Sequence, residues 1–286
     1  MFSARLENAQ GESIMLSGME SNWQIDKIDG LAPVNANLFM TDLAGLDGAR
    51  FNSATLTTRN IVITLALRGN VEENRQRLYR FCRTKEMVTF YFQNDNRSVY
   101  VGGYVETADV DLFVKSERLQ ISIICPDSYF KSTQSCTAII SHEHPLFYFP
   151  FAIDEDDPIE FSSYADEGTR ILNNSETSTG FSARVEFLAA ASSFVLRNAS
   201  TDEKIMLVYQ FLSGDVVTIN TNSGEKSIRL KRGDADINLF SALDVLESQF
   251  VQLASGANMV SVLVDGGSGQ GRVNVTLAFA EKYRGV

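Results

Sequence analysis

The chain has 286 residues, of which 44% are hydrophobic and 21% charged, a composition typical of folded domains and long enough for two hydrophobic cores. Its net charge of −11 is uneven, because residues 1–135 carry 14 basic and 16 acidic side chains whereas residues 136–286 carry 11 and 20. This acidity argues against binding of nucleic acid by the second half, because such binding depends on Lys and Arg meeting phosphates. The N-terminal sequence has mixed charges and no apolar run approaches the length of a membrane span, so we expect neither a secretory leader nor membrane insertion.

An uninterrupted series of β-forming residues runs from Ala54 to Arg68. It predicts a single strand that would extend about 50 Å, at about 3.3 Å per residue. A strand of this length is expected to bend or to change partners along its course. Gly69 ends it.

The only clear helix of the first half is predicted to begin near Val71, with Asn70 as its N-cap and Glu73 completing a capping box. Leu78, Phe81 and Cys82 form one narrow apolar stripe that faces a sheet. Four arginines lie in the same segment: Arg75, Arg77, Arg80 and Arg83. They form either a solvated basic face or a contact with carboxylates of a neighbouring subunit or another partner protein, and Arg77 and Arg80 are the candidate interface residues.

Two further features complete the first half. Met87 to Phe92 and Ser98 to Glu106 predict a hairpin, since the residues between them are polar turn formers. Leu119 to Ile124 predicts a strand that Pro126 terminates, because proline cannot donate to a sheet.

A domain boundary is expected between Phe130 and Ser141, where KSTQSC is small and polar as linkers are. The predicted domains are therefore residues 1–135 and 136–286. Beyond the boundary, short β-prone segments alternate with turn residues, which predicts a β-sandwich. The segments are SARVEF, SSFVLRN, KIMLVYQF, DVVTINT, KSIRL, FVQLA, MVSVLVD and RVNVTLAF. SALDVLESQF fits either a helical turn or a loop. The fold class is mainly β, with two domains.

The order of these elements resembles the distal tail proteins of phages with long non-contractile tails. In the first half the resemblance rests on the strand, helix and hairpin order and on CPDSYF at residues 125–130. In the second half it rests on GDVVTINTNSGEKSIRL, on FVQLASGANMVSV and on the closing YRGV. Each motif is weak alone, and their order along the whole chain gives the match its specificity.

The resemblance implies a structural protein of the tail tip or baseplate hub. The N-terminal domain, β-sandwich-like with one short helix and a hairpin, would form a homohexameric ring at the end of the tail tube. The C-terminal domain would be a galectin-like β-sandwich. Implied partners are the tail tube protein, the tail-tip hub or tail-associated protein and receptor-binding proteins. The implied location is the virion tail tip, with assembly in the host cytoplasm.

A carbohydrate-binding module for glycans of the host surface is the alternative function. Sugars commonly stack on an exposed aromatic ring. However, Trp23, the single tryptophan, lies in the first half. The aromatic cluster of the second half, Phe147, Tyr148, Phe149 and Phe151, is more typical of a strand core or a domain interface than of a sugar platform.

Catalytic and metal chemistry is not expected, nor is a cofactor. His142 and His144 flank Glu143 with a spacing that some metal sites use, but a histidine pair in a linker is more often incidental. The acidic run Asp154 to Asp157 lacks the glycine and distal glutamate of a calcium-binding loop. The three cysteines have no metal-type spacing and are expected to be reduced thiols.

Overall fold

The computed structural model describes residues 2–18, 22–45, 47–111, 117–140, 143–145, 162–164, 168–269 and 271–286, with the backbone alone for 143–145 and 162–164. The predicted fold class is confirmed, because strands dominate the described residues and one α-helix occurs among them. The chain forms two compact units. Unit 1 comprises residues 1–134 together with 282–286, and unit 2 comprises residues 135–281.

Unit 1 is built on an antiparallel sheet with strand order β2-β1-β7-β8-β9-β6-β3. Its elements are β1 (Ser3–Asn8), β2 (Ser13–Met15), β3 (Trp23–Asp29), β4 (Ala36–Asp42), β5 (Ala49–Leu56), β6 (Arg59–Leu67), α1 (Val71–Phe81), β7 (Met87–Gln93), β8 (Ser98–Val110), β9 (Arg118–Cys125) and β10 (Phe130–Ile139). The predicted hairpin is confirmed as β7 and β8, and the strand before Pro126 as β9. Within the described residues, no helix is long and apolar enough to cross a membrane.

The prediction of one long strand from Ala54 to Arg68 is wrong. The segment contains the end of β5 and all of β6, separated at Thr57 and Thr58. β6 lies between β3 and β9 and alternates buried with half-exposed residues, whereas β5 pairs with β4 and is exposed throughout. The expected change of partner is therefore confirmed, but it occurs at a break between two strands, which propensity alone does not reveal.

Helix α1 begins at Val71 as predicted, and Leu78, Phe81 and Cys82 are buried. The predicted capping interaction is wrong. The Asn70 side chain accepts no backbone N–H, and instead its Nδ2 donates to Oε2 of Glu73 at 2.9 Å.

The segment predicted as a linker, KSTQSC, is part of strand β10, and the two units divide within this strand. Polar residues fit a strand with one exposed face, so composition alone does not separate such a strand from a linker. The last five residues, 282–286, pack with unit 1, which the sequence did not predict. They bring Lys282 and Arg284, so unit 1 has 16 basic and 16 acidic residues and unit 2 has 9 and 20. The whole net charge therefore resides in unit 2.

Unit 2 contains two antiparallel sheets that enclose one apolar core. Its further strands are β11 (Glu143–Pro145), β12 (Ser162–Tyr164), β13 (Thr169–Asn173), β14 (Ser182–Phe187), β15 (Ala191–Asn198), β16 (Glu203–Phe211), β17 (Val216–Asn220), β18 (Ser227–Arg232), β19 (Ala235–Asn238), β20 (Gly256–Val264), β21 (Gly267–Ser268) and β22 (Val273–Tyr283). One sheet contains β19-β18-β17-β14-β22 and the other β13-β20-β15-β16. In β22, Val273, Val275, Leu277 and Phe279 are buried as predicted.

The segment FVQLA, predicted as a strand, has an irregular backbone with one isolated bridge from Leu253 to Thr179. Buried asparagine side chains, rather than pairing with a neighbouring strand, fix this segment. Asn198 Nδ2 donates to the carbonyl of Gln252 at 2.9 Å and to Oδ1 of Asn258 at 2.9 Å, and Asn258 Oδ1 also accepts from the backbone N–H of Ala254 at 2.9 Å. These side chains satisfy buried backbone groups that would otherwise require a neighbouring strand.

The three cysteines are free thiols. Burial raises the pKa of Cys82 and of Cys125 to about 12, so both are protonated and unreactive at neutral pH. Cys136 is half-buried, and its pKa is also raised, by burial and by the neighbouring carboxylate of Glu281.

We expect a thiol reagent such as Ellman's reagent to label the native chain slowly and at Cys136 first. In denaturant at the same pH, all three thiols should react at the rate of an ordinary cysteine. Fast native labelling of Cys82 or Cys125 would mean that their burial does not hold in solution.

Candidate functional site

Strands β4 and β5 form a two-stranded hairpin, here called the arm (residues 36–56), that pairs with no other strand of the described chain. Its base is closed where Thr57 donates from its backbone N–H and its hydroxyl to the carbonyl of Asn35, at 3.0 and 3.1 Å. The Ser128 hydroxyl donates to the Thr57 carbonyl at 2.7 Å and so fixes the base to the body of unit 1. Every described residue of both strands is exposed.

The two faces of the arm differ sharply in polarity. Three apolar pairs, Ala36–Leu56, Leu38–Ala54 and Met40–Phe51, share one face, which ends at the pair Asp42–Ala49, because cross-strand partners point to the same side and successive pairs alternate. The other face carries the pairs Asn37–Thr55, Phe39–Ser53 and Thr41–Arg50. The first set is here called the apolar face, and the side chains of Leu38, Met40 and Phe51 on it are each more than half exposed.

An isolated two-stranded hairpin is at best marginally stable in water. Burying a large apolar side chain contributes about 1.5–3 kcal/mol, so several of them on one uncovered strand pair represent a large unused stabilisation. Contiguous exposed apolar surface of this kind is typical of protein interaction sites. The arm therefore has the composition and shape of a segment that packs on another polypeptide.

Arg77 and Arg80, the interface residues predicted from the sequence, are exposed on α1 and line one open cavity of about 480 Å³. The remaining lining residues are Glu12, Ser13, Ile14, Phe81 and Arg83. Three guanidinium groups against one carboxylate give this cavity an excess of positive charge. The cavity is therefore suited to binding carboxylates of a partner.

The other two arginines of this segment, one in the helix and one just after it, have intramolecular partners. Arg75 pairs with Glu72, and Arg83 lies 3.5 Å from the carboxylate of Glu86. In the described part of the chain, neither Arg77 nor Arg80 forms an ion pair, although the Arg77 guanidinium lies 5.8 Å from the ring centroid of Trp23. Arg77 and Arg80 thus differ from Arg75, whose guanidinium is paired within the helix.

Arg59, which the sequence analysis did not single out, is fully buried directly after the arm. It donates to four backbone carbonyls: Gly30, Ala32 at 2.8 Å, Ser128 at 2.8 Å and Arg284 at 2.6 Å. Its guanidinium carbon lies 4.1 Å from the centroid of the Phe130 ring. Burial lowers the pKa of Arg59, opposed by the nearby Cys125 and Asp127. Arg59 therefore ties the segment before the arm, the segment before β10 and the C-terminal residues to one strand.

Most of the residues considered for a metal or a sugar fall outside the part of the chain that the structure describes. His144 lies in β11, while His142, Asp154 to Asp157 and the aromatic cluster Phe147 to Phe151 lie outside the described residues. Among the residues that the structure describes, no group of three or more His, Cys, Asp or Glu side chains could hold a metal ion.

Comparison with known proteins places these features in context. Residues 174–283 match the family model of the C-terminal domain of the siphovirus-type tail component. No curated protein matches. Among solved structures, the chain is similar to the Dit protein of phage SPP1, described as a paradigm of the hub adsorption apparatus in phages that infect Gram-positive bacteria, with 16% identity, a TM-score of 0.68 and 99% of each chain covered.

It is also similar to a chain of the phage P2 baseplate in its activated conformation, in a calcium form with 14% identity and a TM-score of 0.54 and in a strontium form with 13% and 0.55. In both comparisons 97% of this chain and 98% of that chain are covered. The resemblance inferred from the sequence is confirmed by the family model for residues 174–283, and the solved structures share the fold over nearly the whole chain.

Proposed function

We propose, from the confirmed resemblance to phage distal tail proteins, that this chain is a structural component of a phage tail tip and forms a ring there that joins the tail tube to the host-adsorption apparatus. The observation that carries the proposal is the exposed apolar face of the arm. In a monomer the apolar face of the arm stays exposed to water. In an assembly, a neighbouring copy that covers the arm buries this face.

A ring follows from the geometry of such a contact. An arm that leaves one copy and packs on a different surface of the next makes a heterologous contact, which closes into a ring when the rotation allows it. Six copies are what the resemblance implies. The arginine cavity on α1 gives unit 1 a second contact of complementary charge.

The proposed role is non-enzymatic, and it requires neither a metal nor a cofactor. The partners that we propose besides further copies are the tail tube protein, the tail-tip hub protein and receptor-binding proteins. The proposed location is the tail tip of the virion, after assembly in the host cytoplasm.

Negative-stain electron microscopy of the full chain at high concentration tests the proposal. We expect closed rings with six-fold averages, and more of them when purified tail tube protein is added as a template. Ring closure depends on concentration by mass action, so a dilution series belongs to the experiment. Monomers throughout the series, with and without the tube protein, would contradict the proposal.

The double variant Arg77→Glu with Arg80→Glu is expected to weaken ring formation and to leave unfolding unchanged. Reversing two exposed charges alters stability by under about 1 kcal/mol. Placing carboxylates opposite the partner's carboxylates costs several kcal/mol at an interface, by contrast. Sedimentation velocity at several salt concentrations measures the assembly and a thermal melt measures the fold.

Arg118→Glu is the matched control for this variant, because Arg118 is an exposed arginine of unit 1 that pairs with Asp26 at 2.9 Å, away from the helix cavity. It should assemble as the wild type does. If the double variant also assembles normally, the helix face is solvated and the contact must lie elsewhere in unit 1.

A further inference from the structure

Unit 2 contains an open cavity of about 640 Å³ beside the edge strand β16. Its lining combines apolar and polar side chains: Ser192, Ser193, Met206, Val208, Tyr209, Gln210 and Arg232. Val208 and Gln210 are exposed, and Tyr209 is half-buried against the core. Nothing in the proposed tail-tip role uses this cavity.

One side of the cavity is formed by the guanidinium of Arg232, which is ion-paired with the buried carboxylate of Asp215. Asp215, which is 1% exposed, accepts from Arg232 Nε at 2.8 Å and from Nη2 at 2.5 Å. This pairing lowers the pKa of Asp215, so its charge persists in acid. Arg232 Nη2 also donates to the Gln210 carbonyl at 2.9 Å. In the described chain the two N–H groups of Arg232 Nη1 take part in none of these bonds.

Another part of the lining, Ser192 and Ser193, is fixed in a similar way by Asp265. Its Oδ1 accepts from the backbone N–H of Ser192 at 2.7 Å, from the Ser192 hydroxyl at 2.8 Å and from the backbone N–H of Ser193 at 2.9 Å. Its Oδ2 accepts from Arg272 Nη2 at 2.8 Å. Hydrogen bonds from Ser192, above all, hold the pKa of Asp265 far below its usual range. Both parts of the lining are therefore preorganised by ion-paired carboxylates, which reduces the entropy lost on binding.

The chemistry of the lining favours an uncharged, hydroxyl-rich ligand. Asp215 neutralises Arg232, so the guanidinium offers directed donors without a free charge, and Gln210 supplies an amide donor and acceptor. Met206 and Val208, which lie on the same face of β16 as Gln210, offer apolar surface for the C–H face of a sugar ring. The strongly acidic unit repels polyanions.

An extended peptide added to the edge of β16 fits less well. The Gln210 carbonyl already accepts from Arg232. Upstream, the Met206 carbonyl accepts from the backbone N–H of Asp244 and the Lys204 carbonyl from that of Gln249, so the chain itself covers that part of the edge. Strand addition needs a row of free backbone groups.

We propose that this cavity is a binding site for a neutral saccharide, with Arg232 and Gln210 donating to hydroxyl groups and Met206 and Val208 contacting the ring face. Saturation-transfer difference NMR on the full chain tests it, because the method suits large assemblies. The probes are maltotriose, lactose and chitotriose, with a hyaluronan tetrasaccharide as the anionic comparison and the pentapeptide Thr-Val-Thr-Val-Thr as the strand comparison.

We expect saturable transfer to at least one neutral oligosaccharide and none to the anionic one. Gln210→Ala should weaken that binding about fivefold, the effect of losing hydrogen bonds to neutral groups. Val208→Asp should weaken it about tenfold, because a carboxylate replaces the apolar contact. Both positions are exposed, so melting temperatures should not change.

Arg229→Ala is the matched control, since Arg229 lies on the same strand as Arg232 but pairs with exposed Asp236 and does not line the cavity. Its binding should equal that of the wild type. Absence of transfer to all three neutral probes, equal binding in both cavity variants, or preferential binding of the pentapeptide would overturn the proposal. Ring formation is measured separately, so failure here leaves the tail-tip role intact.

Discussion

Replacing Arg59 by Met is expected to lower the free energy of unfolding of the full chain by about 3–5 kcal/mol. The four carbonyls that Arg59 holds belong to Gly30, Ala32, Ser128 and Arg284, in three segments far apart in sequence. Methionine fills a similar volume and donates to none of them. Buried carbonyls left without donors cost about 1–3 kcal/mol each, less where a segment relaxes towards water.

Arg59→Lys should fall between the wild type and Arg59→Met, because an ammonium keeps the charge and donates three hydrogen bonds but lacks the planar fork. Urea denaturation monitored by tryptophan fluorescence measures the effect, since Trp23 is buried in the core of unit 1. Arg118→Met is the control on the neighbouring strand β9, and its exposed pair with Asp26 should contribute under about 1 kcal/mol. If Arg59→Met were as stable as this control, Arg59 would not hold the three segments together.

The second large effect is expected for the double variant Met40→Asp with Phe51→Asp, which should abolish assembly without unfolding the chain. The two side chains are directly opposed on the apolar face of the arm and each is more than half exposed. Their burial against a neighbour would contribute about 3–6 kcal/mol per contact, so its loss weakens each contact at least about 100-fold.

Asn37→Asp with Thr55→Asp is the control, because these residues are also directly opposed and exposed but lie on the other face of the arm. It introduces the same charge at the same separation in the register. Sedimentation velocity should show rings for the control and monomers for the apolar-face variant. Equal assembly of both variants would show that the apolar face is not the contact.

The sequence predicted those elements whose signals are local. Helix α1 begins at Val71 because Gly69 interrupts the preceding strand and an acidic first turn follows. The alternation of Val273, Val275, Leu277 and Phe279 is also a local signal, and it predicted a strand with one buried face. Such patterns report on burial next to the residue itself.

The arm and Arg59 were not predictable from these signals. Leu38, Phe39 and Met40 are consecutive apolar residues, a pattern that also fits a buried strand, and only the fold reveals that nothing covers them. Arg59 is the first residue of a strand rich in Val, Ile and Leu. An arginine at the end of such a strand is expected to be solvated. Its role depends on carbonyls up to 225 positions away in sequence. The division within β10 and the return of residues 282–286 to unit 1 are likewise properties of the tertiary fold.

The mass of the full wild-type chain under native conditions tests the central claim most directly. Native mass spectrometry across a concentration series should show a species of six times 31.7 kDa that grows with concentration at the expense of the monomer. The Met40→Asp, Phe51→Asp variant measured beside it should remain at 31.7 kDa. A wild-type chain that stays monomeric up to the highest concentration, or a variant that forms the same six-fold species, would contradict the account.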